Sequence, residues 1–216
     1  MEDWVNYFER THDKRNLFFY SKNYSRFIEI IIENTPQKGR ILEIGCGSAL
    51  ISLLLADLGF KVTSLDINKK VIMYAKNKII LNNVTINFVV GNMFVLSKIF
   101  KVKSFDTICH SGVLEHFSDE EIILALREQR KIAQKVIFKI PNNRNKLTTT
   151  HFGNERFLSN SKWIDLIKEA GFNSINIFGN SNLPKCLYLF IPYVFFYKRF
   201  SFWMKWFSKN TIFLCK

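Results

Sequence analysis

The stretch that decides the fold is RILEIGCGSALISLLLADLGFKVTSLDIN, residues 40–68. It opens with a short apolar run, passes through two glycines into a helical pattern that Gly59 closes, and returns to an apolar run ending in Asp66. A strand, a helical crossover and a second strand predict two parallel strands of one sheet. The open question is which ligand needs two glycines after one strand and a carboxylate after the next.

The same alternation continues along the chain. Strands are predicted at residues 40–44, 61–66, 85–90, 105–109, 135–140, 174–178 and 211–215. Helices are predicted at residues 22–34, 49–59, 69–82, 118–133 and 161–171. Ser118 and Glu121 have the spacing of a capping box that opens the fourth of these helices. Strands joined by helical crossovers predict a doubly wound α/β fold, with helices on both faces of a mostly parallel sheet.

Length and composition indicate one globular domain. The chain has 216 residues, of which 48% are hydrophobic and 23% charged; this suffices for one full core and is short for two domains. The four cysteines are far apart, so neither a zinc site nor a disulfide framework is predicted. The longest apolar run, residues 186–197, contains Pro192 and falls short of the ~18 residues of a membrane span. The first residues lack the apolar core of a signal peptide, so we expect a cytoplasmic protein.

The chain is strongly basic, with a formal net charge of +13 and a pI near 9.6. Such a charge is typical of proteins that bind nucleic acid or anionic lipid. The lysines are scattered rather than grouped, however, and the abundance of Ile, Asn, Lys and Phe is what an A/T-rich coding sequence produces. The charge therefore indicates a solvated surface, and a nucleic-acid partner stays an alternative.

The loop after the first strand narrows the choice of ligand. Gly45 and Gly47 allow a sharp turn and a close approach of a ligand to the backbone. A dinucleotide fingerprint would place a third glycine at position 50, where Leu50 stands. A phosphate-binding P-loop would need a lysine, and none occurs between Arg40 and Lys61. The loop therefore favours a nucleoside ligand without a pyrophosphate, whose carboxylate would meet the free amides of the next helix.

Polar side chains at the ends of the strands fit such a ligand. Glu43 can brace the glycine loop and face an ammonium group, and the carboxylate of Asp66 can accept hydrogen bonds from both hydroxyls of a ribose. Asn92, after the third strand, can hydrogen-bond an adenine edge, and Met93 can cover the ring. Because the carboxyl ends of parallel strands share one edge of the sheet, we expect these four residues to lie together.

The chain resembles the class I S-adenosylmethionine-dependent methyltransferases over nearly its whole length. The segments that carry the resemblance are LEIGCGSA, LDIN, GNM, FDTICHSGVLEHF and FKIPNN. The resemblance implies a Rossmann-like sheet of seven strands, with the last strand antiparallel and inserted between the fifth and sixth. Residues 211–215 suit that last strand.

The resemblance also implies S-adenosylmethionine as the cofactor. The residues then expected to bind it are Glu43, Gly45, Cys46, Gly47, Asp66, Ile67, Asn92, Met93 and His110. Two positions depart from the family pattern: Ala49 replaces the usual third glycine of the loop, and Asn92 replaces the usual acid. The change at Ala49 is small if its φ is negative, and Asn92 keeps a hydrogen-bonding side chain without the charge.

The segment after the fourth strand, residues 109–121, is where donor and acceptor are expected to meet. Methyl transfer needs mainly orientation, and a base only where the acceptor must lose a proton. His116 and His151 are the predicted catalytic residues, with His151 the preferred base and His116 a support for the loop. No metal site is predicted, because the first carboxylate of the Glu-x-x-Glu-His pattern of some related enzymes is missing. A metal held by Glu115, His116 and His151 is the less favoured alternative.

Both ends of the chain are predicted to add to a single methyltransferase domain, residues 1–216. Residues 1–36 are expected to form lid helices over the cofactor, and residues 183–209 a hydrophobic and basic insertion before the last strand. Within the insertion, residues 197–209 have the spacing of an amphipathic helix. We expect this helix to pack on the sheet, with peripheral contact to an anionic membrane surface as the alternative.

These observations predict a methyltransferase acting on an oxygen of a small molecule, or of a glycan or lipid-linked precursor. An RNA methyltransferase is one alternative, favoured only by the charge; the Asn/Asp-Pro-Pro-aromatic motif of enzymes that methylate base amino groups is absent, which argues against it. A non-catalytic relative that binds the cofactor is the other alternative. The oligomeric state is left open.

Overall fold

A computed structural model of the protein describes residues 4–11, 14–79, 84–141, 154–179 and 210–216. The helices are α1 (Trp4–Thr11), α2 (Lys14–Asn34), α3 (Leu50–Asp57), α4 (Lys69–Ile79), α5 (Leu96–Ile99), α6 (Asp119–Ile132) and α7 (Asn160–Glu169). The strands are β1 (Arg40–Ile44), β2 (Lys61–Asp66), β3 (Ile86–Val90), β4 (Phe105–Ser111), β5 (Ala133–Pro141), β6 (Ile175–Gly179) and β7 (Asn210–Cys215).

The strands form one sheet of seven in the order β3-β2-β1-β4-β5-β7-β6. The first five strands pair in parallel, and β7 pairs antiparallel with both β5 and β6. The predicted seven-stranded sheet with an inserted antiparallel last strand is confirmed. The strand order reverses between β1 and β4, and such a reversal is where ligands bind in open α/β sheets.

Apolar clusters lie on both faces of the sheet, which confirms the doubly wound architecture. On one face, side chains of α5, α6 and α7 pack on the strands around Phe138, Trp163 and Phe213. On the other face, α2 and α3 pack against Ile41 and Ile137. Neighbouring residues of one strand contribute to opposite clusters because successive side chains of a strand point to opposite faces.

Some boundaries differ from the sequence prediction. Helix α2 begins at Lys14, eight residues before its predicted start at 22, and β4 continues to Ser111 rather than ending at 109. Two short 3₁₀ turns, Met93–Val95 and Leu114–His116, were not predicted. Turns of three residues are too short for a hydrophobic period to reveal them.

Several predicted segments fall outside the described residues. These are the last turn of the helix predicted at 69–82, the insertion 183–209 with its amphipathic part, and His151. The division into one domain with lid helices and an insertion stays a prediction. Among the described helices, none is long and apolar enough to cross a membrane.

The capping box at the start of α6 is present. The backbone N–H of Ser118 donates to Glu121 Oε2 at 2.9 Å, and the backbone N–H of Glu121 donates to Ser118 Oγ at 3.3 Å. Two of the backbone N–H groups at the helix start are thereby satisfied. Because α6 follows directly on the loop after β4, the box also fixes where that loop ends.

The first prediction concerns this cap. We expect Ser118→Ala to lower the free energy of unfolding by about 1 kcal/mol, since the N–H of Glu121 loses its acceptor. Ser118→Thr keeps a hydroxyl and should retain most of the stability. Urea unfolding monitored by circular dichroism measures both variants, and equal stability of Ser118→Ala and the wild type would contradict the structural role of the cap.

Candidate active site

The predicted polar residues meet at the carboxyl edge of the sheet. The glycine loop follows β1, Asp66 ends β2, Asn92 follows β3, and the turn Leu114–His116 follows β4. These four strands are neighbours in the order β3-β2-β1-β4. The edge therefore gathers the candidate ligand-binding groups beside the reversal in strand order.

The glycine loop is enclosed so closely that a side chain would not fit. Gly45 and Gly47 have φ values of 61° and 53°, in the left-handed region. A Cβ on Gly45 would lie 2.7 Å from Val113 Cγ2, and a Cβ on Gly47 would lie 2.5 Å from Phe8 Cζ. The backbone conformation therefore favours glycine at both positions, and the neighbouring side chains leave no space for a Cβ.

Glu43 braces this loop from below. Its carboxyl is buried and accepts hydrogen bonds from the backbone N–H of Ser52, at 3.0 Å, and from the Ser52 hydroxyl. The Ser52 hydroxyl also lies 2.5 Å from that of Ser64 on β2. Burial raises the pKa of Glu43 to about 8. The carboxyl thus links β1, α3 and β2, while its predicted contact with a ligand ammonium stays a prediction.

Asp66 joins the loop to the next turn. Its Oδ2 accepts from the backbone N–H of Gly47 at 3.4 Å, and its Oδ1 accepts from the N–H of Asn68 at 2.9 Å. Burial raises the pKa of Asp66 above its ordinary value. The next residue, Ile67, is 69% exposed, so a large apolar side chain that follows the carboxylate in sequence is accessible to solvent. This combination suits a ligand with a polar sugar and a flat apolar base.

Asn92 and Met93 have different surroundings. The Asn92 side chain caps the following turn, since its Oδ1 accepts from the N–H of Phe94 at 2.9 Å. Its amide N–H groups are then the part that an adenine could use. Met93 is 6% exposed and packs in the core with Leu42 and Leu65. The predicted cover of an adenine ring by Met93 stays a prediction, and the side chain has a structural role already.

His110 and Cys46 are core residues. The His110 ring is fully buried, stacks on Phe138 at 5.2 Å and lies 3.3 Å from Gln129 of α6. Burial lowers the pKa of His110 to about 3, so its ring is neutral. Cys46 packs its thiol in an apolar cluster with Ile72. The structure thus places the His110 side chain against α6 rather than on a surface open to a ligand.

The replacement of the usual third glycine by Ala49 would be a small change only if the φ of Ala49 were negative. Its φ is 56°, in the left-handed region, although its methyl group is fully buried. The closure of the loop imposes this conformation, because the Ala49 N–H donates to the Cys46 carbonyl at 2.7 Å. A left-handed residue with a Cβ costs about 1–2 kcal/mol. The replacement of glycine by alanine is therefore not a small change here, and the loop carries local strain.

His116 stands at the border of the site. Its Nδ1 lies 2.8 Å from Asn154 Oδ1, and its ring meets the edge of Trp4 at 6.4 Å between centroids. The histidine thus links α1 to the segment that follows β5, as a supporting residue would. Its catalytic role, and that of His151 outside the described residues, stay predictions.

Helix α1 covers the glycine loop with aromatic side chains. Phe8 lies over Gly47 and stacks on Tyr74 at 6.4 Å, and Trp4 stacks on Phe8 at 5.9 Å. Sequence reasoning placed helices here but did not identify Phe8 as the residue on the loop. The i, i+4 spacing of Trp4 and Phe8 puts both on one helix face, which was the available signal.

Sequence reasoning also missed Lys139 and Glu155, and it considered Glu115 only as a neighbour of the histidines and as a less favoured metal ligand. Glu115 and Lys139 are 3% and 8% exposed, at the carboxyl ends of β4 and β5. A lysine within the apolar run VIFKI was a signal for Lys139, because buried lysines are rare without a partner. In the described part of the chain, no three metal-ligating side chains gather as a metal site would require.

The second prediction separates crowding from backbone strain at the loop. Gly59 has a φ of 87°, and a Cβ there would meet nothing within 4 Å. We expect Gly59→Ala to lower the free energy of unfolding by about 1–2 kcal/mol through strain alone. Gly47→Ala should cost more, because it must also displace Phe8.

Thermal or urea unfolding of both variants, each also combined with Phe8→Ala, tests the difference. Removal of the ring should reduce the cost of Gly47→Ala and leave that of Gly59→Ala unchanged. An unchanged cost at both positions would show that Phe8 does not press on the loop.

Comparison with known proteins agrees with this geometry. Residues 41–135 match a family described as a methyltransferase domain. Over 118 residues the chain is 29% identical to the ubiquinone biosynthesis O-methyltransferase of Pelagibacter ubique, covering 54% of this chain and 47% of that protein. A segment of 56 residues is 38% identical to YqeM of Bacillus subtilis, provisionally named a methyltransferase, covering 26% of this chain and 23% of that protein. The aligned segments thus span less than half of either relative.

The fold agrees as well. The structure of a SAM dependent methyltransferase from Archaeoglobus fulgidus superposes with a TM-score of 0.68 at 15% identity, over 100% of both chains. At this identity the likeness concerns the fold. The matched domain contains the glycine loop, Asp66, Asn92 and the turn after β4. Residues 41–135 thus match a methyltransferase domain, and they lie in a fold like that of solved S-adenosylmethionine-dependent methyltransferases.

Proposed function

We propose that this chain transfers the methyl group of S-adenosylmethionine to an oxygen atom of a small molecule, or of a glycan or lipid-linked precursor. The observation that carries the proposal is the contact between the glycine loop and β2. There the Gly47 N–H points to the Asp66 carboxylate at 3.4 Å, with no room for a side chain on either glycine of the loop. A carboxylate beside a bare, tightly turned backbone is what a nucleoside with an amino-acid tail needs.

The residues present fit the cofactor. The backbone at the start of α3 would hold its carboxylate, Asp66 its ribose hydroxyls, and the amide of Asn92 its adenine edge. Ile67 offers an exposed apolar surface beside the ribose position. When bound, S-adenosylmethionine would supply a methyl group on a positively charged sulfur. The sulfur is the leaving group when a nucleophile attacks the methyl carbon in line. The protein's part is then to orient the acceptor and to exclude water.

An oxygen acceptor is the best-supported choice. The Pelagibacter ubique relative is named an O-methyltransferase, and the motif of enzymes that methylate base amino groups is absent after β4. The idea of a lipid-linked acceptor has less support, because it rests on the amphipathic pattern of residues 197–209, outside the described residues. Peripheral membrane contact through that segment belongs to the same proposal.

The third prediction concerns cofactor binding. We expect wild-type protein to bind S-adenosylmethionine and S-adenosylhomocysteine with micromolar affinity in a calorimetric titration. Asp66→Ala should weaken both affinities by roughly 10- to 150-fold, since hydrogen bonds to a charged group contribute about 1.5–3 kcal/mol. Asp57→Ala removes an exposed carboxylate at the end of α3, away from the carboxyl edge, and should bind like the wild type.

Each of three results would count against the proposal. Absence of binding by folded wild-type protein would remove the methyl-donor site. Equal affinity of Asp66→Ala and Asp57→Ala would show that Asp66 does not hold the ribose. Binding without transfer to any hydroxyl acceptor would favour the non-catalytic relative.

A further inference from the structure

Glu115 carries a buried oxygen atom that lacks a partner. The residue sits in the turn Leu114–His116, immediately after β4, and is 3% exposed. Its Oε2 is buried and accepts no hydrogen bond from any residue that the structure describes. A buried polar atom without a partner costs about 1–3 kcal/mol, and such atoms are rare in native proteins. A group from outside the described chain is the simplest partner for it.

The backbone around Glu115 is held from two sides. The Gly112 N–H donates to the Lys139 carbonyl at 3.2 Å, which ties the turn to β5. On the other side, the Arg156 N–H donates to the Glu115 carbonyl at 2.8 Å, and Arg156 Nη1 donates to the Phe117 carbonyl at 2.6 Å. The carboxyl therefore stands on a fixed support between β4, β5 and the segment that begins at residue 154.

The carboxyl also lies next to the candidate cofactor loop. Val113, two residues before Glu115, is the side chain that a Cβ on Gly45 would meet at 2.7 Å. The Oε1 atom of Glu115 is 3.8 Å from the position of a Cβ on Gly112. The Glu115 carboxyl thus belongs to the turn that packs against the glycine loop.

Two charged groups face Glu115. Burial raises the pKa of Glu115 to about 7; the negative charge of Glu155 adds to this rise, and the positive charge of Lys139 opposes it. The Lys139 ammonium is directed to α2, where it donates to the Asn23 carbonyl at 3.4 Å and lies 3.8 Å from the centre of the Tyr24 ring. It is thus engaged elsewhere and does not supply the missing donor to Glu115 Oε2.

We propose that Glu115 is the proton acceptor of the site, and that its Oε2 receives a hydrogen bond from the hydroxyl group that becomes methylated. The inference rests on the proposed function and deepens it. As the acceptor oxygen forms its bond to the methyl carbon, its O–H bond breaks and the proton passes to Glu115 Oε2. The carbon–sulfur bond breaks at the same time, and its electron pair stays on sulfur. The products are the methyl ether, S-adenosylhomocysteine and protonated Glu115, which returns its proton to water.

Of the histidines whose surroundings the structure describes, His110 and His116 are less suited to this step. His110 is buried in the core, and Nδ1 of His116 is already engaged with Asn154 at 2.8 Å. A general base works best when its pKa lies near the operating pH, and an ordinary glutamate at about 4.3 is a weak base at neutrality. Burial raises the pKa of Glu115 and so makes its carboxylate a stronger base than an ordinary glutamate.

The fourth prediction tests the contact directly. Protein labelled with ¹³C at the glutamate carboxyls, and saturated with S-adenosylhomocysteine, is titrated with catechol and with anisole, which has no hydroxyl. The spectrum of Glu115→Gln identifies the Glu115 resonance. Catechol should shift this resonance and anisole should not.

Turnover of catechol, scored as S-adenosylhomocysteine release, should fall by about 10²–10⁴-fold in Glu115→Gln, while affinity for S-adenosylhomocysteine stays near that of the wild type.

The free energy of unfolding, measured over a pH series, shows that the Glu115→Gln variant is folded. The same series reports the protonation of the Glu115 carboxyl in the wild type. The folded-state pKa of Glu115, about 7, lies above the value of 4.5 expected when it is exposed. The folded state therefore holds the extra proton between these values, and the carboxyl makes the wild type progressively less stable as pH rises through this window. Glu115→Gln should gain stability relative to the wild type from about pH 4.5 to 7 and keep a constant difference above. Glu33→Gln, exposed on α2, is the control for the loss of a surface carboxylate.

The outcomes separate this inference from the proposed function. If S-adenosylhomocysteine binds but catechol leaves the Glu115 resonance unmoved, the proton-accepting role is overturned and the methyl-donor site stands. If the resonance responds to Mg²⁺ alone, the carboxyl belongs to a cation and the inference is again overturned. If S-adenosylhomocysteine does not bind, the proposed function itself fails.

Discussion

The arrangement of the candidate site depends on the backbone conformation of one loop. At Gly45 and Gly47 the chain turns through the left-handed region between two neighbours, Val113 and Phe8, that leave no space for a Cβ. The buried carboxyl of Glu43 holds the start of α3 at one end of this turn, and Asp66 receives an N–H at the other. Any change that relaxes the turn would move the backbone of α3, the carboxylate of β2 and the helix that covers them.

At Ala49 an unfavourable backbone conformation is partly offset by burial of the side chain. The left-handed conformation costs about 1–2 kcal/mol, whereas burial of one methyl group contributes about 0.8 kcal/mol. The contacts of that methyl with the cluster around Cys46 and Ile72 therefore offset part of the strain and not all of it. A residue that the family pattern has as glycine can be alanine here because the deficit is small against the total stability of a domain.

Much of the fold follows from local pattern. Strands β1 and β2 occupy the predicted residues because each is a short apolar run between clear end signals, and the capping box at Ser118 uses only side chains three residues apart. The grouping of Asp66 and Asn92 follows from parallel strands sharing one edge. The pattern could not predict where a side chain points or how deeply it is buried. The surroundings of the His110 ring, the Met93 thioether and the Glu115 carboxyl are set by segments that are distant in sequence. The φ of Ala49 is of the same kind, since closure of the whole loop determines it.

The position of β7 has a consequence for how the protein is made. Strand β6 has β7 as its sheet partner, and β7 also completes the pairing of β5. Yet β7 follows every other described strand in the chain. During synthesis, β6 therefore leaves the ribosome without a partner, and the outer edge of β5 stays open until residues 210–215 arrive. The first five strands can assemble as translation proceeds, but the sheet closes only afterwards, and an exposed strand edge in the interval is a site for wrong pairing with other chains.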